Sequence, residues 1–163
     1  MVTMSKVTEK DVEMLTGIFN LRFMDTMQIH ALFGLGTAYV TTRKRLSRLT
    51  REGYLNGWQP SKNDYKVYYV TKKGAQEVAL LNGYDFTPAP KRSNATLHQV
   101  LVTEVYVQLR QCQLGRIGRF SLNTKVGESV ADAFVEYVVG DRIKVFFLKR
   151  TGGLNLCPRL PRS

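Results

Sequence analysis

Between Phe33 and Thr37 the chain reads Gly34-Leu35-Gly36, and this pair of glycines constrains the fold more than any other feature. Two glycines in three residues end one helix and allow a turn tight enough for the next to begin at once. The segment before the turn opens on an Asp25-Thr26 cap and carries Met27, Ile29, Leu32 and Phe33. The segment after it predicts a helix capped by Thr37, running to Glu52 and closed by Gly53. Upstream, Thr8-Glu9-Lys10-Asp11 has the shape of a capping box with Asp in place of the usual Glu. Val12, Leu15, Phe19 and Phe23 follow at helical spacing and form the expected buried stripe of a first helix.

Downstream, residues 54–58 and 65–70 are aromatic and β-branched around the polar loop 59–64, the pattern of a β-hairpin. Thr71 caps a fourth helix that ends at Asn82-Gly83. Helix, helix, helix, hairpin, helix is the order of a winged helix-turn-helix. Residues 84–95 hold two prolines among polar neighbours and read as a linker. A helix over 96–113 comes next, with Leu97, Leu101, Val105, Leu109 and Cys112 on one face. Strands are expected at 119–126, 130–139 and 142–148, the last two joined by Gly140-Asp141. The tail 151–163 has no periodicity and is expected to be flexible. The fold class expected is therefore α+β: a winged helix-turn-helix DNA-binding domain over 1–83, a linker over 84–95, and a small helix-plus-three-strand domain over 96–150 for dimerisation or partner contact.

Charge separates these parts. The 163 residues carry 24 Lys and Arg against 13 Asp and Glu, a net of +11, which favours a polyanionic partner. The excess is not spread evenly. Residues 1–36 have a net charge of −1, whereas 37–73 hold Arg43, Lys44, Arg45, Arg48, Arg51, Lys62, Lys66, Lys72 and Lys73 against only Glu52 and Asp64. At 100° per residue, centring the buried face of the third helix on Leu46 sends Thr37, Val40, Thr41, Lys44, Arg48 and Arg51 to the opposite side. Arg45 and Ser47 fall on its flanks, and the five cations of 43–51 have no acid among them. Short hydroxyls and cations on one helical face suit a major groove, where Arg and Lys reach guanine edges or phosphates. The candidate DNA contacts are Thr37, Thr41, Arg43, Lys44, Arg45, Arg48 and Arg51, with Lys62 and Lys66 of the hairpin loop on the backbone.

Several classes are disfavoured. Cys112 and Cys157 are too few for a disulfide scaffold, and neither has a second thiol at metal spacing. No apolar run has the ~18 residues of a membrane span. The first residues lack the apolar core of a signal peptide, so a cytoplasmic protein with no membrane partner is expected. His30 and His98 stand far apart and give no metal signature.

Three strings of the first domain resemble the replication-relaxation family of plasmid and phage proteins. They run from Val7 through Thr8-Glu9-Lys10-Asp11 to Leu15, from Arg43 through Leu46-Ser47-Arg48-Leu49 to Leu55, and over Tyr69-Val70-Thr71-Lys72-Lys73-Gly74-Ala75. The resemblance continues at Leu97-His98-Gln99-Val100-Leu101, at Val130-Ala131-Asp132-Ala133-Phe134 and at Val145-Phe146-Phe147-Leu148, and so covers residues 7–150. It implies a winged helix at the start of the chain and a role on a mobile element.

A helix and three strands with Asp132 on the second also resemble part of a restriction-endonuclease-like core. Such a site needs a second acid and a lysine on the next strand to hold a metal and activate water. Phe146-Phe147-Leu148-Lys149 offers no acid there, and Glu136 stands about 13 Å from Asp132 by strand rise. No catalytic residue, metal or cofactor is therefore expected. The expected function is sequence-specific recognition of double-stranded DNA by a homodimeric regulator of transcription or plasmid replication. The alternatives are a metal-dependent nuclease or nicking accessory, and a winged-helix adaptor that binds protein.

Overall fold

The computed structural model describes residues 7–85 and 88–149, so the tail 151–163 lies outside the described residues. Among them the chain is α+β, with five helices and two three-stranded antiparallel sheets. It divides into two compact units after Gln108.

In the first unit, α1 (Glu9–Leu21) begins at the expected capping box. The Thr8 hydroxyl accepts from the Asp11 N–H at 3.2 Å, and the Asp11 carboxylate accepts from the Thr8 N–H at 2.9 Å. Its buried residues are Asp11, Met14, Leu15, Ile18, Phe19 and Leu21, so the buried face is rotated from the expected stripe and Val12 sits at its margin. Phe23 is buried too, but from outside the helix. Arg22 takes φ 73° and ψ −56°, and the Phe23 N–H donates to the Leu21 carbonyl at 2.9 Å. This is a γ-turn of the rare positive-φ hand, and it redirects the chain into β1 (Met24–Asp25). That strand is too short for alternation to announce it. β1 pairs with β3 (Val67–Val70), which pairs with β2 (Leu55–Trp58), giving the order β1-β3-β2.

α2 (Thr26–Phe33) is capped by Asp25, with Gln28 completing a second reciprocal box at 2.8 and 3.0 Å. Gly34 follows as the residue that closes α2. A Cβ there would overlap the His30 ring and Thr42, whose Nδ1 and Oγ1 hydrogen-bond at 2.8 Å. Gly36 supplies the left-handed residue of the turn at φ 77°. Thr37 does not cap α3 (Tyr39–Arg51), because its hydroxyl donates to the Gly34 carbonyl at 2.8 Å and closes the turn. Ala38 stands at the cap without a side-chain bond. At the other end Gly53 (φ 85°) turns the chain, with Gly53 N–H bonding Thr50 and Tyr54 N–H bonding Leu49. The Lys73 ammonium donates to the Glu52 carbonyl at 2.8 Å, placing a cation at the negative end of α3.

Thr71 caps α4 (Lys72–Asn82), and Gly74 lets that helix approach the Tyr54 carbonyl more closely than any side chain would allow. Leu15 and Ile18 of α1, Ile29, Leu46 and Leu49, Val67 and Val70, and Val78 form the sealed core among these elements. Each contributes about 1.5–3 kcal/mol by burial.

α5 (Thr96–Gln111) was expected to belong with the strands, but the division between units falls inside it. The Thr103 hydroxyl donates to the Phe23 carbonyl at 2.9 Å, and Gln28 Nε2 donates to Val100 O at 3.0 Å and Glu104 Oε2 at 2.9 Å. Its buried residues are consequently Thr96, Val102, Thr103 and Val107, whereas Leu97 and Leu101 of the expected apolar face are each 49% exposed.

The second unit is a meander of β4 (Arg116–Val126), β5 (Ser129–Val139) and β6 (Arg142–Leu148). Two-residue turns opened by Gly127 (φ 59°) and Gly140 (φ 60°) join the strands, and the β4 register shifts between Ile117 and Arg119. Ala131, Ala133, Val135 and Tyr137 alternate along β5 into the buried side. The Tyr137 hydroxyl donates to the Cys112 carbonyl at 3.3 Å. Burial first, then Cys112, pushes its ionisation up to about 12.

Candidate nucleic-acid interface

The turn at Gly34 and the bond between His30 and Thr42 fix α3 against α2, with Thr42, Leu46 and Leu49 inward. The outward residues follow from the helical period. Val40, Arg43, Lys44, Ser47, Arg48 and Arg51 line an open groove of about 560 Å³ along the helix, and Thr37 and Thr41 are exposed at its amino-terminal end. Among the described residues no carboxylate pairs with Arg43, Lys44 or Arg51.

Arg45 and Arg48 are both ion-paired, a feature the sequence does not signal. Arg45 Nη1 lies 2.8 Å from Asp11 Oδ1, and Arg48 Nη2 lies 2.6 Å from Asp11 Oδ2. The Asp11 side chain has no exposure, while those of Arg45 and Arg48 keep 25% and 29%. The acid missing from 43–51 thus comes from α1. Burial alone would raise the Asp11 carboxyl. Bonds from the Thr8 backbone, Arg48, Arg45 and the Thr8 hydroxyl outweigh it and hold the group below the ordinary 3.8. Arg48, bonded first to Asp11 and also to Glu52 at 3.4 Å, holds its own proton more firmly than usual.

The sequence marks Asp11 only as a cap. Its spacing of three, four and seven residues before Met14, Leu15 and Ile18 puts it on the buried face, where a carboxylate requires a cation.

The hairpin continues the surface. Lys62 and Lys66 are exposed, and the Lys66 ammonium sits 5.8 Å from the centre of the Tyr68 ring. The Lys66 carbonyl accepts from both the N–H and hydroxyl of Thr26, each at 3.0 Å, which ties the hairpin to the start of α2. Burial raises the Tyr68 hydroxyl, while the Arg43 charge opposes that rise. Of the aromatics here, Tyr68 is buried, Tyr69 packs on Phe23 at 5.3 Å, and Trp58 lies under the Arg92 guanidinium at 4.8 Å. Tyr65 is exposed beside Lys66. The contact of Arg92 with Trp58 brings the 88–95 segment onto the hairpin, which composition did not signal.

In the second unit Asp132 and Glu136 stand four residues apart on β5. Among the described residues there is no group of three or more His, Cys, Asp or Glu side chains able to hold a metal. Nor is any described helix long and apolar enough to cross a membrane.

No curated protein and no solved structure matched this chain. The sequence model of the replication-relaxation family matches residues 15–149, a span that takes in most of α1, the basic helix, the hairpin and the second sheet. That match covers well over half of the chain, which therefore belongs to the replication-relaxation family, a membership that suggests a role in plasmid replication or relaxation.

Proposed function

We propose that this protein binds double-stranded DNA through a winged helix-turn-helix and regulates replication or transcription on a plasmid or phage. In this reading α2 and α3 are the helix-turn-helix, α3 enters the major groove, and the β2–β3 hairpin is the wing. The observation that carries the reading is the outer face of α3, where Arg43, Lys44 and Arg51 stand exposed with no paired carboxylate among the described residues. Thr37 and Thr41 meet base edges, and Arg43, Lys44, Arg51, Lys62 and Lys66 meet phosphates. A homodimer on a two-fold site matches the usual use of such a module, with the half-exposed Leu97 and Leu101 of α5 available for contact between copies.

The reading assigns binding and no bond-breaking step. Asp132 and Glu136 are about 13 Å apart along an extended strand, which is too far for one metal ion.

Fluorescence anisotropy on a random duplex at two salt concentrations tests this. Wild type should bind with an affinity that falls steeply as salt rises. The Lys44→Ala/Arg51→Ala double variant should bind more weakly and with a shallower salt dependence. Absence of binding, or binding indifferent to the double variant, would put the protein-binding adaptor in its place.

A further inference from the structure

We infer that Asp11 is a positioning residue for the nucleic-acid interface, holding Arg45 and Arg48 as anchors of α3 so that neither serves as a phosphate contact. The inference rests on the DNA-binding reading above and assigns its basic residues to two separate jobs. One carboxylate takes one guanidinium on each oxygen, at 2.8 and 2.6 Å, and has no exposure of its own. The same carboxylate closes the capping box of α1, which holds it in place independently of either arginine. Arg45 also donates to the Thr8 hydroxyl at 3.2 Å, and Arg48 to Glu52 at 3.4 Å.

Two anchors three residues apart on one helix fix its rotation about its own axis. A step of one residue would turn the face by 100° and break both ion pairs. The rotation so fixed is the one that turns Val40, Arg43, Lys44, Ser47 and Arg51 outward, with Arg48 lining the same groove while paired to Asp11 and Glu52. Charge divides the same way. Of the five cations in 43–51, two are matched by Asp11 and Glu52, which leaves Arg43, Lys44 and Arg51 for the polyanion. A guanidinium already bound by a buried carboxylate releases no counterion from DNA, so it does not contribute to the salt dependence of binding.

The test is the slope of log affinity against log salt, measured on the full chain and a fluorescent random duplex, with thermal melts as a check of folding. A purely structural role for Asp11 would lower the melting temperature of Asp11→Asn without moving its slope, which would overturn the inference. Lys44→Met should flatten the slope by about 0.9, the share of one phosphate contact. Arg45→Met should leave it unchanged although the protein melts earlier. Asp11→Asn keeps the cap and the volume but releases both arginines, and should steepen the slope by up to about 1.8. If Arg45→Met flattens the slope as much as Lys44→Met does, Arg45 leaves Asp11 for a phosphate and the inference is wrong. Should Asp11→Asn fail to fold, the comparison of Lys44→Met with Arg45→Met decides alone. Wild type that binds no duplex at any salt overturns the DNA-binding reading and this inference together, a result distinct from the Arg45 outcome.

Discussion

At Asp11 one side chain caps α1, fills a core position and holds two arginines of α3. Its carboxyl lies below 3.8 in the folded chain, so the unfolded chain binds more protons as pH falls toward that value. The contribution of Asp11 is therefore complete above about pH 5 and is lost as pH drops through the folded value. Asp11→Asn should lower stability by about 1–3 kcal/mol at neutral pH. In denaturant titrations the gap to wild type should be constant down to about pH 5 and close below it. A gap that widens in acid would show that the Asp11 carboxylate is not stabilised by these bonds in the folded chain. Half of this residue was legible, since the cap is local. Its ion-pair partners are 34 and 37 positions away and leave no local mark. Arg22 is a second case. It sits at φ 73°, a conformation that disfavours a side chain, so Arg22→Gly should be neutral or stabilising by up to about 1 kcal/mol in thermal melts.

At the scale of elements, the α2–turn–α3 unit depends on Gly34. A Cβ at that position meets the His30 ring and Thr42, so Gly34→Ala should destabilise the protein by about 1–3 kcal/mol. It should also weaken duplex binding, because α3 must shift to relieve the overlap. Unchanged stability would show that the two helices do not approach as described. The order of helices and the hairpin could be read from caps, glycines and alternation, since those signals are local. β1 could not, because two residues carry no period and the strand exists only through its pairing with β3. The packing of α5 was hidden for a related reason. Its leucines at 97 and 101 suggested the buried side, but polar bonds from Gln28 and Thr103 turn other residues inward. Gln28→Leu should accordingly speed amide hydrogen exchange in the first half of α5, and unaltered exchange there would discount that bond.

For the whole molecule, the division after Gln108 gives the first unit its own core and all the proposed DNA contacts. Composition located the proline-bearing segment at 84–95, but tertiary bonds carry the first unit past it and into α5. Membership of the replication-relaxation family spans both units, and the proposal assigns duplex recognition to the first. The most direct test of that assignment is amide hydrogen exchange on the full chain with and without a saturating duplex. Exchange should slow in the first turns of α3 and in the hairpin loop 59–66, with β4 to β6 unchanged. Protection confined to β4 to β6, or none in α3, would contradict that assignment.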